Sequence, residues 1–337
     1  VFIDTVYQPL QDELVKRGWI DAIDSNLRDK LGRRRYSITG HKIAYLVVCR
    51  GVPLRIDDDP AFFDAAGQMA SRQEFRTNRG AVDSELALLA QSGYPVTGVV
   101  GNPLFNRAHP SFLEEGRIVK VGRLDGPTYA EAAALVDNAV EAERVGLIGR
   151  AYVDIGGAHP EGDKWLEETA KEIASLDFDL DVDRTPQTLP MSARFDAPVL
   201  YFGWYAMHLN GPFARPGFRF PPGAVALHIH SFSAQTLRSA DQYWCGPLVA
   251  RGVTATFGNV FEPYLPMTHR PQLIVKALAE GRTVGDAAAA DSHVYSAQAV
   301  LIREGLVVFY GNEANLGAFY GSWLFWLGLG SALAYGY

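Results

Sequence analysis

Short runs of mostly apolar residues recur along this chain, and a helix-patterned segment follows most of them. KIAYLVVC (42–49), RIVKVGRL (117–124) and GRAYVDIG (149–156) are such runs, and others lie at 198–202, 224–230, 253–257 and 306–310. A strand that is apolar on both faces needs cover on both, which an antiparallel sheet with one wet face does not give. Alternation with helices supplies that cover. The helical patterns fall at 5–31, 81–90, 128–146 (with Thr128 as N-cap), 163–176, 269–281 and 284–290. The expectation is a three-layer α/β sandwich with a mostly parallel central sheet. Residues 1–313 form a single α/β domain, with an irregular excursion at about 57–80, and 314–337 form a separate tail.

Charge narrows the partners. The net charge of −7 gives no basic surface for nucleic acid, and Arg33–Arg35 is too isolated to make one. Two cysteines make no disulfide framework and lack metal-site spacing; Cys49, inside an apolar run, reads as a buried thiol. The chain starts at Val1 rather than Met, so further sequence is expected upstream. From Ala314 to Tyr337 no residue is charged. At about 1.5 Å per helical residue this tail is long enough for a hydrocarbon core of about 30 Å. Trp323 and Trp326 suit an interface, and the tail is expected to hold a membrane or a membrane-protein complex. Packing on the domain itself is the alternative.

In a parallel sheet ligands bind beyond the carboxyl ends of the strands. Gly203-Trp204-Tyr205, His230-Ser231, and Gly258-Asn259 with Glu262 stand there. His228 and His230, two apart on a strand, share a face and are metal candidates if Glu262, Asp241 or His208 converges on them. Ser231 is a candidate nucleophile with His208, His228, His230 or His269 as base, but no G-x-S-x-G elbow surrounds it. The plainer reading makes Ser231 and Ser233 helix caps. The loop DIGGAHPEGD (154–163) collects Asp154, His159, Glu161 and Asp163; its spacing is not that of an EF-hand, and Asp163 reads as a cap. Asp57–Asp59 reads as a solvated turn. Trp204, Tyr205, Phe232, Trp244, Phe261 and Tyr264 make either a binding surface or a core. No cofactor is expected.

Several blocks, taken in order, are similar to a known pattern: KIAYLVVCRGVPLRI, AVDSELALLA with GNPLF, VGRLDGPTYAEAAALVDNAVEAE, PGAVALHIHSFSA with TLRS, and GVTATFGNVFEPYL. Over roughly residues 40–312 they resemble an uncharacterised bacterial family that is usually exported. That resemblance implies the periplasmic side of a membrane. Where that family ends in a Gly-Asp-Pro-Leu-Tyr type motif, this chain has GNEANLG (311–317). The strand order also resembles, remotely, the gingipain and caspase type of cysteine peptidase fold. In that fold one strand ends in Gly-His and the next ends in the nucleophilic Cys. Here Gly203 matches the glycine, Trp204 stands in place of the His, and His230 or Ser231 in place of the Cys. Cys245 lies about a dozen residues beyond. The resemblance therefore implies the scaffold without its thiolate–imidazole pair. The expected function is a non-catalytic accessory or interaction protein, with Trp204, Tyr205, Phe232, Trp323 and Trp326 as contacts. The alternatives are a hydrolase using Ser231 and a metal-binding protein using His228 and His230.

Overall fold

The computed structural model describes residues 1–29, 32–62, 77–95, 97–291, 294–295 and 299–303. Helix α1 (Gln8–Lys16) leads into a hairpin of β1 (Ile20–Arg28) and β2 (Arg34–His41). The central sheet is built from β3 (Tyr45–Cys49), β4 (Lys120–Leu124), β5 (Arg150–Asp154), β6 (Leu180–Asp183), β7 (Pro198–Gly203), β8 (Val225–His228), β9 (Ala255–Asn259) and β10 (Ala299–Arg303). Their spatial order is β3-β4-β10-β9-β8-β7-β5-β6. The five strands from β9 to β6 are parallel, β3 is parallel to β4, and β10 runs antiparallel to β9.

The further helices of six residues or more are α2 (Val82–Ala87), α3 (Tyr129–Val145), α4 (Pro160–Ala174), α5 (Cys245–Ala250), α6 (Pro271–Ala279) and α7 (Val284–Asp291). Burial follows the pleat. Leu200 and Phe202 on β7, Val225 and Leu227 on β8, and Phe257 on β9 pack against Trp165, Leu166, Ile274 and Leu278 of α4 and α6. Tyr201 and Ala226 face the other way, onto Leu135, Trp244 and Leu248 of the α3 and α5 side. Each fully buried side chain of this kind is worth about 1.5–3 kcal/mol. The result is the expected three-layer α/β sandwich. Thr128 caps α3 in a reciprocal box with Glu131, a device worth about 1 kcal/mol.

Several local expectations change. The helix expected over 5–31 stops at Lys16, because Gly18 takes a left-handed φ of 66° and the chain turns back as β1. Strand β6 (LDVD) is absent from the expected strands: it is an edge strand whose aspartates disguise it, and Arg150 pairs with one of them, Asp181, and with Asp179 just before the strand. Cys49 is exposed, not buried, since β3 is the other edge and its outward face also leaves Val47 43% exposed. Asp58 and Asp59 are more than a solvated turn. Asp58 Oδ1 accepts from the Asn78 and Arg79 N–H groups and closes the neck of the excursion. The strand expected at 306–310, and the tail 314–337 with Trp323 and Trp326, lie outside the described residues. Among the described residues no helix is long and apolar enough to cross a membrane.

Candidate functional site

Strands β7, β8 and β9 deliver their carboxyl ends to one cleft, lined by Trp204, Tyr205, His230, Ser231, Asn259 and Glu262 among others. Its geometry begins at Gly203. A Cβ there would sit 2.6 Å from the Tyr201 hydroxyl and 2.8 Å from Asp154 Cβ, so only glycine passes. Trp204 follows and is 2% exposed. Its indole lies directly on Gly157 and Gly162, where any Cβ would come within 2.1 Å of the ring. Trp204 Nε1 donates to Asp163 Oδ1 (2.8 Å), which also accepts from the N–H groups of Gly156 and Gly157. Asp163 therefore secures the loop and the indole; it does not cap α4, whose N-cap is His159. Trp204 is packed into the core at the base of the cleft that it helps to line.

His228 is the last residue of β8 and is 1% exposed. Its Nε2 accepts from the Ala206 N–H at 2.9 Å, and its Nδ1 lies 2.9 Å from the Tyr201 hydroxyl. Burial pushes its pKa well below the ordinary histidine value, so the ring is neutral and Nδ1 carries the proton. The Trp244 indole stacks on it at 3.5 Å and donates from Nε1 to the Ala206 carbonyl at 2.7 Å. His228 and Trp244 thus hold both polar groups of Ala206, fixing the turn that carries Tyr205. Neither nitrogen of His228 is left for a metal or for proton transfer.

The strand ends at His228, so the shared-face expectation does not extend to His230. That ring lies against Tyr205, with centroids 4.4 Å apart. Its Nδ1 hydrogen-bonds the carbonyl of Ser231 rather than the hydroxyl. Burial lowers its pKa, while the Ser231 carbonyl and Glu262 oppose that shift. His208 Nδ1 accepts from the Tyr243 N–H, and His269 pairs through Nδ1 with Asp291 at 2.8 Å. Asp241 holds the Ser239 hydroxyl. Among the described residues no group of three His, Cys, Asp or Glu side chains is arranged to hold a metal.

No helix begins at Ser231 or Ser233; the next one starts at Cys245. Ser233 Oγ instead accepts from the Asn259 N–H at 3.0 Å. Cys245 is fully buried against the Phe257 carbonyl, and burial pushes its thiol up to about 12, far from a reactive thiolate. Of the six aromatic residues at the strand ends, Trp204, Trp244 and Phe261 are core, Phe232 is half-buried, and Tyr205 and Tyr264 are exposed.

Asn259 is the residue whose role the sequence does not show. It is 2% exposed, and its Nδ2 donates to the His230 carbonyl and to Thr268 Oγ1, while Oδ1 has no partner. A polar residue closing an apolar run was the available signal, but its partners come from two other segments.

No protein-family model matches this chain, and no characterised protein matches it in sequence. A solved structure described as "Structure of Protease" is similar at 12% identity and a TM-score of 0.35. That likeness covers 62% of this chain, which spans 58% of the other protein's length.

Proposed function

We propose that this chain is a non-catalytic accessory protein, in which a scaffold resembling the caspase type of peptidase serves as a binding module. Residues 314–337 attach it to a membrane or membrane assembly on the periplasmic side. One observation carries the reading. The imidazole that ends β8 spends both nitrogens on Tyr201 and Ala206, as a brace and not as a base. The remaining groups agree with it: His230 directs Nδ1 to a carbonyl, and Cys245 is sealed. A fluorophosphonate probe on the full chain tests the non-catalytic reading. No labelling is expected; labelling that Ser231→Ala abolishes overturns it in favour of a serine hydrolase. Attachment is tested by fractionation. The full chain is expected with membranes and a chain ending at residue 313 is not, while a full chain found wholly in the soluble fraction refutes attachment.

A further inference from the structure

The cleft is unusual in what it offers a ligand. Among the described residues, no Lys or Arg lines it. Asn259 commits both amide hydrogens, to the His230 carbonyl and Thr268 Oγ1, so it has only its unpartnered acceptor Oδ1 left. His230 directs Nδ1 to the Ser231 carbonyl, a contact that needs the proton on Nδ1 and leaves Nε2 as a lone-pair acceptor. Glu262 uses Oε1 on the Tyr264 N–H at 3.0 Å and has its second oxygen to give. Tyr205 and Tyr264, 41% and 43% exposed, wall the same space with aromatic rings. A buried acceptor without a donor is costly, and a ligand that supplies the donor relieves that cost.

We infer that this cleft binds a primary ammonium group, R–NH₃⁺, whose three N–H bonds go to Asn259 Oδ1, His230 Nε2 and the Glu262 carboxylate, between the rings of Tyr205 and Tyr264. Three separate acceptors match the three donors of an ammonium. One carboxylate supplies the opposite charge, and tyrosine rings attract a cation through their quadrupole. A guanidinium fits less well. Its planar fork prefers a bidentate carboxylate, and Glu262 already has one oxygen engaged. An anion finds no Lys or Arg among the described lining residues. The ammonium can come from a lysine side chain or from a chain terminus, and the chemistry at the cleft is the same for both. This inference rests on the cleft being a binding site and not a reacting one.

Isothermal titration calorimetry on the full chain tests it with four probes: Nα-acetyl-lysine amide, glycinamide, Nα-acetyl-norleucine amide and Nα-acetyl-arginine amide. Saturable binding of an ammonium probe is expected, with the neutral norleucine analogue much weaker. Lysine amide alone binding identifies a side chain as the source, and glycinamide alone identifies a terminus. Glu262→Gln is expected to weaken binding roughly ten- to hundredfold, the weight of one hydrogen bond to a charged group. Tyr205→Leu, which leaves Glu262 intact, is expected to weaken it several-fold. The inference fails if no ammonium probe binds better than the norleucine analogue. It also fails if Glu262→Gln, folded by circular dichroism, binds equally well, or if the arginine probe binds as tightly as the ammonium probes. Calorimetry of binding does not depend on the serine probe, so failure of the non-catalytic reading is seen separately.

Discussion

Replacing Gly162 with alanine tests how Trp204 is seated, and two physical effects predict opposite signs. Gly162 is the third residue of α4 and is buried. In a helix taken alone, Gly→Ala stabilises by up to about 1 kcal/mol. Here the new Cβ would lie 2.1 Å from Trp204 Cη2 and 2.4 Å from Cζ3. Carbon atoms in contact prefer about 3.5–4.0 Å, so the ring would have to retreat by more than about 1 Å. It has little freedom to do so. Nε1 is bonded to Asp163 at 2.8 Å, and Gly157 passes as close to the ring as Gly162 does. Overpacking of a fixed core typically costs about 1–3 kcal/mol, and displacing the indole also weakens a hydrogen bond to a carboxylate worth about 1.5–3 kcal/mol. After subtracting the propensity gain, the expected net loss is about 1–5 kcal/mol. Urea unfolding followed by tryptophan fluorescence measures it. The double variant Gly162→Ala with Trp204→Phe should recover part of the clash, giving a coupling of about 1 kcal/mol or more in a double-mutant cycle. A Gly162→Ala protein at least as stable as the parent would refute the placement of the indole on α4.

Three further outcomes follow from groups already described. Native protein should show one reactive thiol, Cys49, by mass spectrometry after maleimide treatment, with Cys245 reacting only after unfolding; prompt native labelling of Cys245 would contradict its burial. His228→Leu leaves the Ala206 N–H and the Tyr201 hydroxyl without their partner and should cost about 2–5 kcal/mol. Because the native imidazole titrates well below its ordinary value, the unfolded chain binds the extra proton, and the parent loses this stabilisation as pH falls below about 6.5. The gap between parent and variant in urea midpoint should therefore narrow at pH 5, and a constant gap would show that His228 is not held neutral. Asp154 has the opposite sign. Burial, with Asp183 nearby, raises its carboxyl to about 7, so its native form binds the proton and the parent loses stability as pH rises from about 4 through 7. Asp154→Asn should remove that slope, and an unchanged slope would show that the carboxyl is solvated.

What was readable in the sequence, and what was not, depends on the range over which each feature is decided. Strand β7 was legible because both of its faces are buried, and burial on both faces leaves a continuous apolar run with nothing else needed. The place of the cleft was legible for a similar reason: runs that end together in a parallel sheet present their next residues to one edge. The chemistry of those next residues is set by partners far along the chain. His228 became a brace because Ala206 and Trp244, 22 residues before it and 16 after, close on it. Ser231 is not the helix cap it was expected to be, because the helix begins only at Cys245. Trp204 was divided between surface and core until Gly157 and Gly162 settled it. One of those glycines, Gly162, bears a signal of its own once the helix bounds are known. A glycine inside a helix costs about 1 kcal/mol unless something packs against it; the pattern in the sequence begins at 163, and the helix itself begins at Pro160 and takes in Gly162. The loop that suggested carboxylates around a cation is in fact the seat of an indole: its glycines make the space, and Asp163 receives the N–H. The general step is to ask of each glycine in a regular element which large side chain needs that space, before asking of each nearby carboxylate which ion it could hold.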